Sequence, residues 1–344
     1  MSPRPFAAIF GALALIACGA PDSDLTATES ADDPATGSLS REVIEAAAWK
    51  PAPEVSAEPS ATDKADALLV RTQVLLERAR FSPGAIDGLE GSNMRQALKA
   101  FEAAQGMTPD GVLDDETFRR LVQTGPGAIM TDYRITAADL AGPYLGVVPV
   151  DMKTQGEQPA MSFGNIVEAL AERFHVTEGL LRAMNPGAEF NRVGQTLSVP
   201  AVDRRPLSGS VDHIVIDKEE GSLRAFDANG TLLAYFPATI GSGDNPTPSG
   251  TVKVNGVARS PEYVFDPEAL SFGEVEHRVV VKPGPNNPVG VVWIDLNRPS
   301  YGIHGTPDPD KVGKTASHGC VRLTNWDAWR LADAVKPGVE VRFV

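Results

Sequence analysis

Cysteine, long apolar runs and positive charge are all scarce in this 344-residue sequence. There are only two cysteines, Cys18 and Cys320, so each needs its own explanation. Beyond the N-terminus no run of 18 or more apolar residues occurs, and no transmembrane helix is expected there. The net charge is −14, and residues 22–66 alone hold 11 acidic against 3 basic residues. Nucleic-acid binding needs a basic surface, so we expect no nucleic-acid partner for this acidic chain.

The N-terminus is the one place where an apolar run does occur. It extends from Phe6 to Cys18, is too short to span a bilayer and is typical of an export signal. It ends in "LIAC", which resembles a bacterial lipobox, so we expect a lipoprotein-type signal peptide at residues 1–17 and lipidation of Cys18. An ordinary signal peptide with an incidental Cys18 is the alternative. The predicted location is periplasmic and lipid-anchored, at the outer membrane because Gly19 follows the cysteine, by resemblance to lipoprotein sorting rules.

Two segments follow the signal. Residues 19–64 are rich in Ala, Pro, Ser and acidic residues with few aromatics, a composition that predicts a flexible tether. Within it, "REVIEAAAWK" (residues 41–50) is compatible with a short helix that is marginal alone. Residues 65–124 carry apolar positions at helical spacing and predict a compact helical module. Its segments "AIDGLEG" and "PDGVLDDETF", around the helix "ALKAFEAAQG", resemble the peptidoglycan-binding-like module of cell-wall enzymes. The resemblance implies contact with glycan or stem peptide, with a spacer role as the alternative.

A smaller segment covers residues 131–202. Ile166, Leu170 and Phe174 form one helical stripe, and "VGQTLSVP" predicts a closing strand. This segment, in "FHVTEGLLRAMNP" and "VGQTLSVP", resembles a LysM repeat, interrupted by an insertion between Leu140 and Ser162. His175 is expected to be a structural or surface histidine.

Residues 212–344 change to β character. At least six β-branched runs alternate with turn-rich stretches, and one sizeable helix, "NWDAWRLADAV", precedes a last strand. The pattern predicts a mainly β domain, so the fold class of the whole chain is α+β.

The stretch "YGIHGTPDPDKVGKTASHGCVRL" (residues 301–323) surrounds the second cysteine. If Cys18 becomes a thioether, Cys320 has no disulfide partner, and a free thiol in an exported protein calls for an explanation by reactivity. His304 and His318 lie within 16 residues of it. A nucleophilic thiol needs an imidazole to accept its proton. These residues therefore predict a thiol–imidazole site.

The neighbouring residues can complete such a site. Backbone N–H groups of Gly319 and Cys320 are candidate donors to an oxyanion, and Arg322 is a candidate ligand for a substrate carboxylate or carbonyl. The alternatives are a buried structural cysteine and a zinc site made of His304, His318 and Cys320. The spacing of that trio fits no ordinary zinc motif, and no metal is expected.

These same residues resemble the L,D-transpeptidase (YkuD-type) family. The match lies in "HGTPDP" and "SHGCVRL", with "PTPSGTVKV", "PGPNNPVG" and "YGIHG" in the same order, and it covers roughly residues 212–344. The resemblance implies that Cys320 is the nucleophile, that His304 is the general base, and that the Gly305 carbonyl orients the imidazole. His318 is expected to support the site, since its position is not always histidine in the family.

The resemblance also implies the reaction. The enzyme would attack the carbonyl of the third-residue diamino acid in a peptidoglycan tetrapeptide stem, release D-alanine, and pass the acyl group to an amine, giving 3–3 cross-links. Arg322, Ser317 and Tyr301 are the expected substrate-binding residues. No cofactor is expected, the expected partners are stem peptides, glycan and a membrane, and carbapenems are expected to acylate Cys320.

Two other functions remain open on the sequence alone. A hydrolase on the same fold would use water in place of the amine and act as an L,D-carboxypeptidase or endopeptidase. A wall-binding structural lipoprotein with an inactive catalytic domain would bind peptidoglycan without reacting through Cys320.

Overall fold

The computed structural model describes residues 39–51, 64–241, 249–267, 277–315, 317 and 319–344. The predicted signal peptide, Cys18 and His318 lie outside the described residues. Within the described ranges, no helix combines the length and the apolar character that a membrane span requires.

The N-terminal part is a helical module. Its helices begin at capping side chains wherever the sequence supplies a capping residue. Asp66 accepts hydrogen bonds from the N–H groups of Leu68 and Leu69, and Asp114 accepts one from Thr117. The apolar faces of the helices share one core. The helices are α1 (Arg41–Ala46), α2 (Ala67–Arg78), α3 (Ser92–Ala104) and α4 (Asp115–Thr124).

The structure differs from the tether prediction over residues 39–51. Ile44 of α1 is fully buried in the core of the helical module. Trp49 donates its indole N–H to the Leu113 carbonyl at 2.8 Å, and Arg71 donates to the Ala47 carbonyl at 2.7 Å. The sequence is compatible with a short helix over residues 41–50 that is marginal by itself, and tertiary packing stabilises it as α1. The other residues of the predicted tether, apart from Lys64, lie outside the described residues.

The next segment has a strand at each end and four short helices between them. The strands pair antiparallel, with Met130 opposite Pro200 and Arg134 opposite Thr196. Leu170 and Phe174 of the predicted stripe are buried. The LysM-like assignment stays a prediction. The elements are β1 (Met130–Arg134), α5 (Ala137–Ala141), α6 (Met152–Glu157), α7 (Ile166–Arg173), α8 (Glu178–Ala183) and β2 (Thr196–Pro200).

The C-terminal part is a mixed sheet of eight strands with one main helix, α9 (Asn325–Ala332). The order in the sheet is β11-β10-β9-β6-β12-β3-β4-β5, and β7 pairs with β8 as a separate hairpin. The chain is therefore α+β, as the sequence predicts. The strands are β3 (His213–Asp217), β4 (Ser222–Phe226), β5 (Leu232–Pro237), β6 (Gly250–Arg259), β7 (Tyr263–Phe265), β8 (Val279–Val281), β9 (Val292–Leu296), β10 (Gly302–His304), β11 (Val321–Arg322) and β12 (Glu340–Phe343).

A buried ion pair joins helices α2 and α9. Arg330 of α9 donates to Glu77 of α2 at 2.6 Å, and both side chains are almost fully buried. Ser82 donates its hydroxyl to Asp327 at 2.7 Å. His175, bonded to Glu77 at 2.9 Å, stacks on the Trp326 ring, so it is structural. These contacts fasten the helical module to the large sheet.

Candidate active site

Strand register places the site on one face of the sheet. Trp293 of β9 lies opposite Ala258 of β6 on one side and opposite His304 of β10 on the other. His304 is in turn paired with Arg322 of β11. Side chains of directly paired residues point to the same face. The four residues therefore form one row across four strands, and all four line the same cleft.

Cys320 stands just before β11 and opens into this cleft. Its thiol donates to the Ser300 carbonyl at 3.5 Å. Ser300 has φ of 65°, a left-handed conformation that is costly for serine and is often found at functional sites. Burial raises the pKa of the Cys320 thiol, while the Gly302 N–H and the Arg322 charge act in the opposite direction. The thiol is therefore protonated at neutral pH.

His304 is 3% exposed, and its ring stacks on Trp293 at a centroid distance of 5.5 Å. Its Nδ1 lies 2.6 Å from the Gly305 carbonyl oxygen. A carbonyl can only accept, so Nδ1 carries the proton and Nε2 is left with a free lone pair. Burial lowers the pKa of His304 to about 4, the bond to Gly305 opposes this, and the Arg322 charge adds to it. The imidazole is neutral at pH 7.

Arg322 supplies the positive charge of the cleft. Among the described residues its Nε is buried without a hydrogen-bond partner. A buried, unpaired donor of this kind is costly unless something fills the position, and a substrate carboxylate or carbonyl fits it.

The cleft has a volume of about 720 Å³, within the range of small-molecule sites. The rest of the lining comes mainly from the β7 region, from the loop before β9 and from α6. Most of these residues are apolar. The remaining lining residues are Met152, Pro261, Glu262, Tyr263, Val264, Asp266, Pro288, Val289 and Ser300.

The structure differs from the sequence prediction at three positions. Ser317 is buried, donating its hydroxyl to the Cys320 carbonyl at 2.6 Å, so it shapes the turn and does not line the cleft. The Gly319 N–H donates to that same hydroxyl at 3.1 Å, so it is not a free oxyanion donor. Tyr301 packs its ring against Gly319, under the Arg298 guanidinium, and is also absent from the lining. The predicted supporting residue His318 lies outside the described residues.

Sequence reasoning missed several residues of the cleft. Tyr263 lines the same cleft, and burial raises its phenol pKa. Trp293 belongs to the run "VVWIDL". The alternation of this strand pattern could have predicted an aromatic ring on one face of the strand. No local sequence pattern indicated that Ser300 or Met152 would line the cleft. No cluster of three or more metal-ligating side chains occurs among the residues that the structure describes.

The fold and the site define a class: a β-sheet enzyme with a thiol and a neutral imidazole in one apolar cleft. Comparison with known proteins shows which enzyme family this part of the chain is similar to. Residues 211–342 match the family model described as "L,D-transpeptidase catalytic domain", and residues 67–121 match the "Putative peptidoglycan binding domain".

Relatives carry the same name. "Putative L,D-transpeptidase YkuD" of Bacillus licheniformis is 29% identical over 180 residues, which are 52% of this chain and 93% of the relative. "Probable L,D-transpeptidase YbiS" of Escherichia coli is 30% identical over 186 residues, 52% of this chain and 60% of the relative. A crystal structure of L,D-transpeptidase 3 from Mycobacterium tuberculosis, in complex with a faropenem-derived adduct, aligns at TM-score 0.33 and 17% identity, covering 44% of this chain and 74% of that one.

The chain thus carries a YkuD-type L,D-transpeptidase catalytic domain, preceded by a peptidoglycan-binding domain. It is an enzyme of the peptidoglycan L,D-transpeptidase type, which acts outside the cytoplasm.

Proposed function

We propose that Cys320 is the nucleophile and His304 the general base of a reaction on tetrapeptide stems of peptidoglycan. The observation that carries this proposal is the cleft that both side chains line, with His304 Nε2 left free by the bond from Nδ1 to Gly305. Arg322, unpaired and two residues after the thiol, supports a substrate-binding role for its guanidinium.

The resting pair is a neutral thiol and a neutral imidazole. Because the pKa of Cys320 is raised and that of His304 is about 4, transfer of the proton before attack is strongly uphill. The proton therefore moves from Sγ to Nε2 as Sγ attacks the carbonyl carbon of the third residue. The Cys320 N–H has no partner among the described residues and is the donor left for the oxyanion.

The remaining steps of the reaction follow from the balance of bonds and protons. The bond from that carbonyl carbon to the D-alanine nitrogen breaks, the leaving amine takes the proton from His304, and a thioester to Cys320 remains. An acceptor amine then attacks the thioester, its proton passes to Sγ through His304, and an amide is released. With another stem's diamino acid as acceptor, the product is a 3–3 cross-link. A carbapenem would acylate Cys320 by the same first step.

The proposal extends to location and to the N-terminal segments. The "LIAC" motif supports a lipid anchor on Cys18, which holds the protein at a membrane in the periplasm, the outer membrane by the identity of Gly19. The peptidoglycan-binding domain then brings the catalytic domain to its substrate. The LysM-like segment at 131–202 is proposed as a second wall-facing segment.

The test uses purified tetrapeptide stems and the Cys320→Ala and His304→Ala variants. We expect Cys320→Ala to abolish D-alanine release and cross-linked product, and His304→Ala to slow release by about 10²- to 10⁴-fold, the range for loss of a general base. Product formation by Cys320→Ala would contradict the mechanism. Shortened stems without dimers in the unaltered protein would assign it to hydrolysis.

A further inference from the structure

One wall of the cysteine cleft comes from outside the catalytic domain. Met152 opens helix α6, and it lines the cleft together with His304 and Cys320. Helix α6 belongs to the insertion between Leu140 and Ser162. The catalytic-domain match begins only at residue 211, so no part of that match contains this side chain.

Helix α6 is packed closely on strand β8. A Cβ added to Gly156 would lie 2.5 Å from Val279 Cγ1, so the helix backbone sits directly on the strand. The helix start is capped by Asp151, which accepts from the Thr154 N–H at 2.8 Å. These contacts set the position of Met152 relative to the hairpin of β7 and β8.

The end of the insertion is fastened to a second wall of the cleft. The Met161 N–H donates to the Pro283 carbonyl at 3.0 Å, and the Asn286 N–H donates to the Met161 carbonyl at 2.9 Å. The Asn286 amide also donates to the Ser162 carbonyl at 2.9 Å. This loop continues into Val289, which lines the cleft. The insertion is thus held at helix α6, which packs on β8, and at its C-terminal end, which is bonded to the loop that leads to Val289 of the cleft.

The fate of a thioester in this cleft depends on which nucleophile reaches it. Water and an amine compete for the same carbonyl carbon, and an apolar wall that excludes water favours the amine. Replacing Met152 by alanine removes three heavy atoms, which opens space of the order of two water molecules at ~30 Å³ each. That space would lie in the cleft that holds Cys320.

We propose that Met152 is a specificity-determining residue, which excludes water from the Cys320 thioester and so directs the acyl group to an amine. The inference rests on the proposed thioester mechanism. In the favoured branch the thioester C–S bond breaks, an amide C–N bond forms, and the amine proton goes to Sγ. In the excluded branch water supplies the oxygen of a carboxylic acid and the proton.

The experiment uses the full chain with a tetrapeptide donor and a diamino-acid stem as acceptor, and measures amide and acid products by mass spectrometry. D-alanine release in the first turnover measures acylation separately. For Met152→Ala we expect acylation within about twofold of the unaltered protein and an amide-to-acid ratio lowered about fivefold or more. Met152→Leu, which nearly conserves volume, should restore the ratio.

The matched control is Val147→Ala. Val147 lies in the same insertion, is 85% exposed and does not line the cleft, so the ratio should not change. An unchanged ratio in Met152→Ala, or an equal fall in Val147→Ala, would overturn the role of Met152 while acylation stays intact. A slower acylation with an unchanged ratio would also overturn it, since Met152 would then act on the donor. Absence of any Cys320 acylation in the unaltered protein would overturn both this inference and the proposed mechanism.

Discussion

Lowering the pH from 7.5 to 5 should leave the rate of Cys320 acylation almost unchanged. The reason is the burial of His304, which lowers its pKa to about 4. At pH 5 roughly 90% of such an imidazole is neutral, whereas an ordinary histidine with a pKa of ~6.5 would be roughly 3% neutral. The two cases differ about thirtyfold in the available base at pH 5.

The assay is the single-turnover rate of Cys320 acylation by a tetrapeptide stem, followed by intact mass from pH 8 to pH 4. We expect a plateau that falls by half near pH 4. His304→Gln should lose this limb together with most of the rate, because glutamine accepts no proton. A tenfold fall between pH 7.5 and pH 5 in the unaltered protein would refute the argument, since it would show an imidazole that titrates as if exposed.

The same shift predicts a pH dependence of stability. The folded pKa of His304 lies below the unfolded value, so this contribution is fully present above pH 6.5 and is lost as the pH falls towards 4. At 1.36 kcal/mol per pH unit, the complete loss below pH 4 is about 3 kcal/mol, and about 2 kcal/mol of it falls between pH 7 and pH 4.5. In urea unfolding at pH 7 and pH 4.5, the unaltered protein should lose about 2 kcal/mol more stability than His304→Gln, because the other titrating groups are common to both proteins.

Three further outcomes follow from the packing and the chemistry. Arg330→Met should lower the free energy of unfolding by about 3–5 kcal/mol in urea titrations, because it leaves Glu77 buried without its cation, and a loss below ~1 kcal/mol would contradict that account. Gly319→Ala should slow acylation by an order of magnitude or more, because φ is +110° and the added Cβ would lie 2.9 Å from the Tyr301 ring. Gly338→Ala, with φ of +96° and open space around it, is the matched control. An equal fall in the acylation rate in both variants would contradict a role for the contact with the Tyr301 ring. Iodoacetamide should alkylate Cys320 more slowly than free cysteine at pH 8, since burial raises the pKa of the thiol, and faster alkylation would indicate a resting thiolate.

Local pattern was enough for part of the site. The residues around Cys320 by themselves predict a thiol–imidazole site with His304 or His318. The resemblance to the YkuD-type family implied the choice of His304 and its bond to Gly305, which joins adjacent residues. The α+β fold class was also predictable, because helical stripes and β-branched runs differ in period. Ser317 was misplaced, because a hydroxyl close in sequence to a nucleophile can point either towards the substrate or back to its own turn.

By itself the sequence determined the candidate reacting groups and the elements around them: the Cys320 thiol, a histidine 16 residues before it, an arginine two residues after it, and the helical and strand periods of the chain. Only the tertiary structure decided which distant residues share the cleft. The row from Ala258 to Arg322 depends on strand register across four strands, and Met152 comes to line the cleft through packing of an insertion that local propensity does not position. Register and helix docking are set by contacts between residues far apart in the chain, and no local pattern encodes them.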